Sequence, residues 1–336
     1  MINKRTLLIS AVMFTLIGIS AAWWLTTAKT PSARLEKLSL RLQWLHQAQF
    51  AGFYVAKEKG FYREAGLDVA IQPGGQDFNA VTLVSSGSDD VGVWTADQVL
   101  LAYARGVPIR AVGVVFDRSL TAFMVKQTST IRTPKDFEGK TVGMYYGYDS
   151  ETIYLALLKR FNVDRNKIRE TALQYDLSRF FNGDVDVWPA YVINQPLAAQ
   201  AAGVEVRLLK PDDLGIRYYS DTIIITEKTL HERRDTVTRF LSASERGWRY
   251  ALDHRDEATD IVLKQDPHLN RAHQRQMLDV TAQYLRPRGA QFGMDRGVWE
   301  SIISLLREQK LLHGNVNVDK LVDFKLPEDA HAKISD

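Results

Sequence analysis

Four stretches of this sequence set aromatic rings beside amides and carboxylates, a combination suited to holding a flat polar ring. The first carries Gln43, Trp44, His46, Gln47 and Gln49. The second carries Trp94, Thr95, Asp97 and Gln98. The third is Tyr145-Tyr146-Gly147-Tyr148-Asp149-Ser150, and the fourth carries Trp188, Pro189, Tyr191, Asn194 and Gln195. Rings such as Trp44 and Tyr146 can stack on a heteroaromatic, while amides and carboxylates pair with ring nitrogens and an exocyclic amine. A sulfonate would call for several Arg, Ser or Thr groups, and these stretches are short of Arg. No HExxH, GxSxG or phosphate-loop motif occurs in the chain. The set therefore reads as one for binding.

Several of these residues carry a second reading. Trp44 and Trp94 end strand-like segments and suit a core as well as a ligand wall. Tyr145 and Tyr146 alternate faces, so one of them is expected at a cleft. Asp149 serves equally as a helix-start charge or as a ligand acceptor. His46 reads as a structural or solvated histidine, and Asp89-Asp90 as a turn.

Each stretch follows a segment that patterns as a strand. Residues 38–44 alternate apolar and polar, and 67–71, 91–94, 109–116, 122–126, 141–146, 185–188, 204–209 and 222–226 are apolar runs of strand length. Helical spacing appears at 53–64, 79–86, 96–105 and 151–161, and from 230 onward. Alternating strands and helices predict a mostly parallel α/β architecture. In such sheets, ligands bind beyond the C-terminal strand ends, where the four stretches fall.

The 336 residues suit one large or two medium domains. Lys4, Arg5 and Lys29 are the only charged residues among the first thirty; without them 40 Lys and Arg balance 40 Asp and Glu. A neutral body argues against electrostatic nucleic-acid binding. The absence of cysteine excludes disulfides, thiolate metal sites, cysteine catalysis and a lipoprotein anchor. Residues 7–25 are uncharged after a basic start, and Trp23-Trp24 stand where an interfacial belt would. Residues 1–30 thus read as a signal peptide or an uncleaved signal-anchor, and both place the body outside the cytoplasm.

The segment LQWLHQAQFAGFYVAKEKGFYREAGLDVAI, residues 42–71, resembles the opening of the periplasmic substrate-binding proteins of ABC transporters. It is closest in type to the branch that binds thiamine-pyrimidine precursors and includes a pyrimidine synthase. Ser86-Gly87-Ser88-Asp89-Asp90-Val91-Gly92, Gly139-Lys140-Thr141-Val142-Gly143 and Gly183-Asp184-Val185-Asp186-Val187-Trp188-Pro189 resemble further motifs of that group, in order.

The resemblance implies a type II periplasmic-binding-protein-like α/β fold, two lobes around a central cleft. Residues 38–122 with 223–325 would form one lobe and 126–219 the other. Crossings are expected near 120–126 and 220–225. The expected ligand-binding residues are Gln43, Trp44, Gln49, Trp94, Asp97, Tyr146, Tyr148, Asp149, Trp188, Tyr191, Asn194 and Gln195. The ligand would be a small heteroaromatic of the hydroxymethylpyrimidine or formylaminopyrimidine type. An ABC permease and ATPase would be the partners, in a periplasm, with a possible inner-membrane anchor through residues 7–25.

The synthase branch uses a lysine for pyridoxal phosphate and a substrate histidine. Their positions are occupied here by Trp94 and Gln98, and the matching cysteine cluster is missing from residues 215–220. No cofactor is therefore expected. At Gln195, where the family often has Glu, the charge is lost. A sensing module of a signalling system is the other reading, though no output domain follows residue 312.

Overall fold

The computed structural model describes residues 34–335, apart from 76, 175 and 286–288. The expected signal or anchor segment lies outside the described residues. Residues Glu36–Asp336 form one unit.

Strand β1, Glu36–Arg41, alternates as its sequence requires, with Leu38 and Leu40 buried. It pairs in parallel with β2, Leu67–Gln72, and with β3, Val91–Trp94. β4, Ile109–Val114, is on the far edge of this sheet, whose order is β2-β1-β3-β10-β4. The fourth position is filled by β10, Thr222–Thr226, which arrives from far along the chain and runs antiparallel to both neighbours. Ile223, Ile224 and Ile225 are fully buried, as a central strand covered on both faces demands.

Between these segments the chain builds other strands. After β4 it passes to β5, Thr121–Lys126, the centre of an antiparallel sheet with β8, Trp188–Tyr191, and β9, Val206–Leu209. β6, Thr141–Met144, and β7, Arg169–Ala172, form a parallel pair, joined to this region by a bridge between Val142 and Val187. The chain returns to the first sheet between Leu209 and Thr222. Its outgoing and returning segments touch: Val115 N–H donates to the Asp221 carbonyl at 2.8 Å, and Leu120 N–H to Ser220 Oγ at 3.1 Å.

The expected, mostly parallel sheet is therefore a correction: the architecture is mixed. β10 runs against its neighbours in the first sheet, and β8 and β9 both run against β5 in the second. The strand expected at 185–188 lies three residues later. β7 was not foreseen, because RETA offers no apolar alternation.

Helices from Glu227 onward pack against the first sheet's helices. The helix Arg234–Asp253 lies against Ala51–Glu58 at very close range. A Cβ on Gly247 would stand 2.1 Å from the Gly52 carbonyl oxygen, and one on Gly52 would meet the Trp248 ring. Phe53 stacks between Phe240 and Phe292 at 6.1 and 6.4 Å, with Trp248 edge-on. This core fixes the origin of the loop that follows β1.

Candidate functional site

The end of β1 is held before any ligand is considered. Arg41 pairs with buried Asp89 at 2.8 Å and donates to the Pro73 carbonyl at 2.7 Å. Asp90 accepts from the Ser39 amide at 2.8 Å, so the two turn carboxylates clamp the strand. Gly74 then lies directly on the chain at Leu42 and Gln43: a Cβ there would fall 2.1 Å from the Leu42 carbonyl oxygen. Its N–H donates to the Trp44 carbonyl at 2.8 Å. These contacts set the loop from which Gln43, Trp44, Gln47 and Gln49 reach a cavity beside the two crossings.

The opposite wall comes from the excursion. Thr121 enters from β5; Tyr145, Tyr148, Asp149 and Ser150 from the turn into the helix Asp149–Arg160; and Pro189, Ala190 and Tyr191 from β8. Asn194 and Gln195 follow at the start of the helix Gln195–Ala201. Gln43 Nε2 donates to the Tyr191 hydroxyl at 3.0 Å, and His273 Nε2 meets Asn194 Oδ1 at 3.0 Å, so side chains of the two parts bond to one another.

Eight of the twelve residues expected from sequence line this cavity: Gln43, Trp44, Gln49, Tyr148, Asp149, Tyr191, Asn194 and Gln195. Four stand elsewhere. Trp94 is half-buried and packs on the apolar cluster between the first sheet and the helix Ala96–Ala104. Asp97 is wholly buried and accepts from Thr152 Oγ1 at 2.7 Å, tying two helices together. Tyr146 is 50% exposed, whereas Tyr145 is the member of that pair on the cavity. Trp188 is fully buried behind the wall, edge-on to Tyr145 at 6.3 Å and to Phe180. Gln195 has a local task as well, since its Oε1 accepts from the Tyr191 amide at 2.8 Å.

Sequence reading did not single out Thr121, Ala190, Ser220 or Asp221. Thr121 Oγ1 donates to Asp149 Oδ2 at 2.8 Å, and the Tyr191 and Ser220 hydroxyls lie 3.5 Å from the same oxygen. Asp221 Oδ2 accepts from Gln49 Nε2 at 2.8 Å, and Gln49 Oε1 accepts from Gln47 Nε2 at 2.6 Å. The one available signal is a polar Ser220-Asp221 pair placed directly before a strand with an isoleucine run, residues 223–225.

Burial raises the pKa of Asp149 to about 7, and the nearby charge of Asp97 adds to this; the Thr121 hydroxyl and the Ser150 N–H oppose it. Burial likewise pushes Asp221 up to about 7, against the hydrogen bond from Gln49. No Lys, Arg or His is among the residues lining the cavity. No group of three or more potential metal-ligating side chains occurs among the described residues.

The NMT1/THI5-like family matches residues 47–258, which includes every residue lining the cavity except Gln43 and Trp44. The chain belongs to that family. It is 26% identical over 315 residues to the riboflavin-binding protein RibY of Chloroflexus aurantiacus, covering 88% of each chain. It is 24% identical to the formylaminopyrimidine-binding protein of Halalkalibacterium halodurans, over 93% of this chain and 94% of that one. A 4-amino-5-hydroxymethyl-2-methylpyrimidine phosphate synthase of Legionella pneumophila is 25% identical over 71% of this chain and 76% of its own. In fold, the chain is similar to the periplasmic aliphatic sulphonate binding protein SsuA of Escherichia coli, with a TM-score of 0.69 at 19% identity, covering 86% of this chain and 92% of that one. The architecture is that of the periplasmic binding proteins.

Proposed function

We propose that this protein is the extracytoplasmic solute-binding component of an ABC importer, and that its ligand is a small heteroaromatic such as a hydroxymethylpyrimidine or formylaminopyrimidine precursor of thiamine. The observation that carries this reading is the cavity itself. Trp44, Tyr145, Tyr148 and Tyr191 surround it, and Gln43, Gln47, Gln49, Asn194 and Gln195 supply amides. Aromatic walls with a few convergent polar groups are the usual design of a site for a flat polar ring. Its place beside the two crossings supports a hinge-bending reading with lobes at 38–122 plus 223–325 and at 126–219. The basic start and apolar run of residues 1–30 support delivery out of the cytoplasm. A permease and an ATPase would then receive the loaded protein.

A binding role is favoured over synthesis by the side chains present. A Schiff base to pyridoxal phosphate needs a lysine, and the cavity lining offers none. The residues do not fit that cofactor.

The test is mass spectrometry of whatever small molecule is released from natively purified protein, followed by calorimetric titration with hydroxymethylpyrimidine, formylaminopyrimidine and riboflavin. Release and binding of a pyrimidine support the reading. A tightly held aliphatic sulfonate, or a pyridoxal absorption band, would sink it.

A further inference from the structure

The helix Arg271–Thr281 lines none of the cavity, yet its first turn bonds to segments that supply both walls. Asn270 caps this helix, its side chain accepting from the His273 N–H at 3.0 Å. Met277 and Leu278, one turn further on, are fully buried in the main core. His273 and Gln274 therefore project from a rigid element.

Gln274 is 3% exposed, and its Oε1 accepts from the Ala48 N–H at 2.7 Å. Ala48 opens the short helical turn Ala48–Phe50, where the first backbone donors have no partner within the turn. Gln47, just before it, gives no side-chain cap and turns its amide to Gln49. Gln274 supplies the missing acceptor from 226 positions away. Gln47 and Gln49, on either side of Ala48, both line the cavity.

The second contact reaches the excursion. Asn194 precedes the helix Gln195–Ala201, a place where asparagine usually accepts from the second or third helical N–H. Here the second residue, Pro196, has no N–H, and the third, Leu197, donates to the Asn194 main-chain carbonyl at 3.0 Å. The Asn194 side chain makes no cap, and its Oδ1 meets His273 Nε2 at 3.0 Å instead. Burial lowers the pKa of His273 below the ordinary histidine value, so near pH 7 the ring is neutral and has one N–H. An amide oxygen only accepts, which puts that proton on Nε2.

We propose that the helix Arg271–Thr281 is the clasp of the cleft: Gln274 positions the loop carrying Gln47 and Gln49, His273 ties the excursion to the same helix through Asn194, and both slow ligand release without lining the cavity. The proposal rests on the two-lobe reading given above and adds the residues that hold the lobes together. The bond from His273 to Asn194 spans 79 positions of chain and lasts only while the two parts are close.

The test uses the whole chain, whose lack of cysteine lets spin labels be placed at Leu45→Cys and Tyr146→Cys. Both positions are exposed, and each is next to a lining residue, Trp44 on one wall and Tyr145 on the other. Electron paramagnetic resonance then reads the distance across the mouth. Without any ligand added, His273→Leu should shift that distance upward, and His273→Gln, which keeps an N–H at similar reach, should bring it back. Release kinetics are read on the unlabelled protein from Trp44 emission, with hydroxymethylpyrimidine as the probe. His273→Leu and Gln274→Met should each release it about two- to tenfold faster, the effect of losing one hydrogen bond, with association rates within about twofold of the parent. Amide exchange at Ala48 should rise in Gln274→Met and stay unchanged in His273→Leu.

A label distance unmoved by His273→Leu overturns the clasp. Lower melting temperatures with unchanged release rates assign both side chains to the fold alone and overturn it as well. Unchanged exchange at Ala48 in Gln274→Met removes Gln274 from it. If the parent does not bind hydroxymethylpyrimidine, the pyrimidine reading fails, and the clasp stands or falls on the label distances, which need no ligand.

Discussion

Asp221 illustrates how a buried acid can weaken the fold. It is fully buried, it has an oxygen without a hydrogen-bond partner, and its pKa is raised from an ordinary 3.8 to about 7. Between those values the folded protein holds a proton that the unfolded chain releases. Stability therefore falls as pH rises from about 4 to about 7, and the loss is complete above that. Asp221→Asn keeps an acceptor for Gln49 and removes the charge. Its melting temperature should match the wild type near pH 4 and exceed it near pH 8, by an amount on the order of a few kcal/mol in stability. A difference that does not change with pH would show that Asp221 is not perturbed. Trp44 is a separate case, because it lines the cavity and also packs on the main core. Trp44→Ala should weaken ligand binding by roughly 1–3 kcal/mol. Calorimetry beside an unliganded melt separates its two roles: a collapsed melt with little change in affinity would make it a core residue.

At the scale of elements, a very close approach between two helices decides what they tolerate. Gly247 lies against Gly52 with no room for a methyl group, and the atoms it would strike include backbone. Gly247→Ala should therefore overpack the contact between Ala51–Glu58 and Arg234–Asp253 and cost about 1–3 kcal/mol or more. Denaturant titration should show a lower midpoint, while ligand affinity under native conditions stays within twofold, since neither glycine lines the cavity. An unchanged midpoint would mean that the helices separate freely. Gly74 does the same work nearer the site: its missing side chain lets the chain after β2 touch the backbone of Leu42 and Gln43 and hold the loop that presents Gln43.

For the whole molecule, the proposed two-lobe arrangement makes closure the expected response to ligand. The crossings link the first sheet to the excursion, and they bond to one another through Val115, Asp221, Leu120 and Ser220. Asp149 and Asp221 stand at this junction, bonded to Thr121, Ser220 and Gln49. Solution scattering of residues 34–336 should show a smaller radius of gyration when the ligand is saturating. An identical profile with and without ligand would count against hinge closure.

The sequence by itself determined whatever depends on near neighbours. The alternation of Leu38 and Leu40 marked β1, the isoleucine run marked β10, and aromatic and amide residues after strands marked most of the cavity wall. The motif order from residue 42 to residue 189 carried the family. Tertiary structure decided which face each residue presents. Tyr145 and Tyr146 are adjacent, and only the register of β6 and the turn after it sends one to the cavity and the other to solvent. Trp188 and Tyr191 share β8, yet one is walled in behind Tyr145 while the other bridges to Gln43. The acid network was not legible at all. Asp149 meets Thr121, Tyr191 and Ser220 across separations of 28, 42 and 71 positions. No local pattern encodes contacts of that range; they exist because two crossings fold distant segments onto one junction, where low dielectric gives each buried carboxylate its effect.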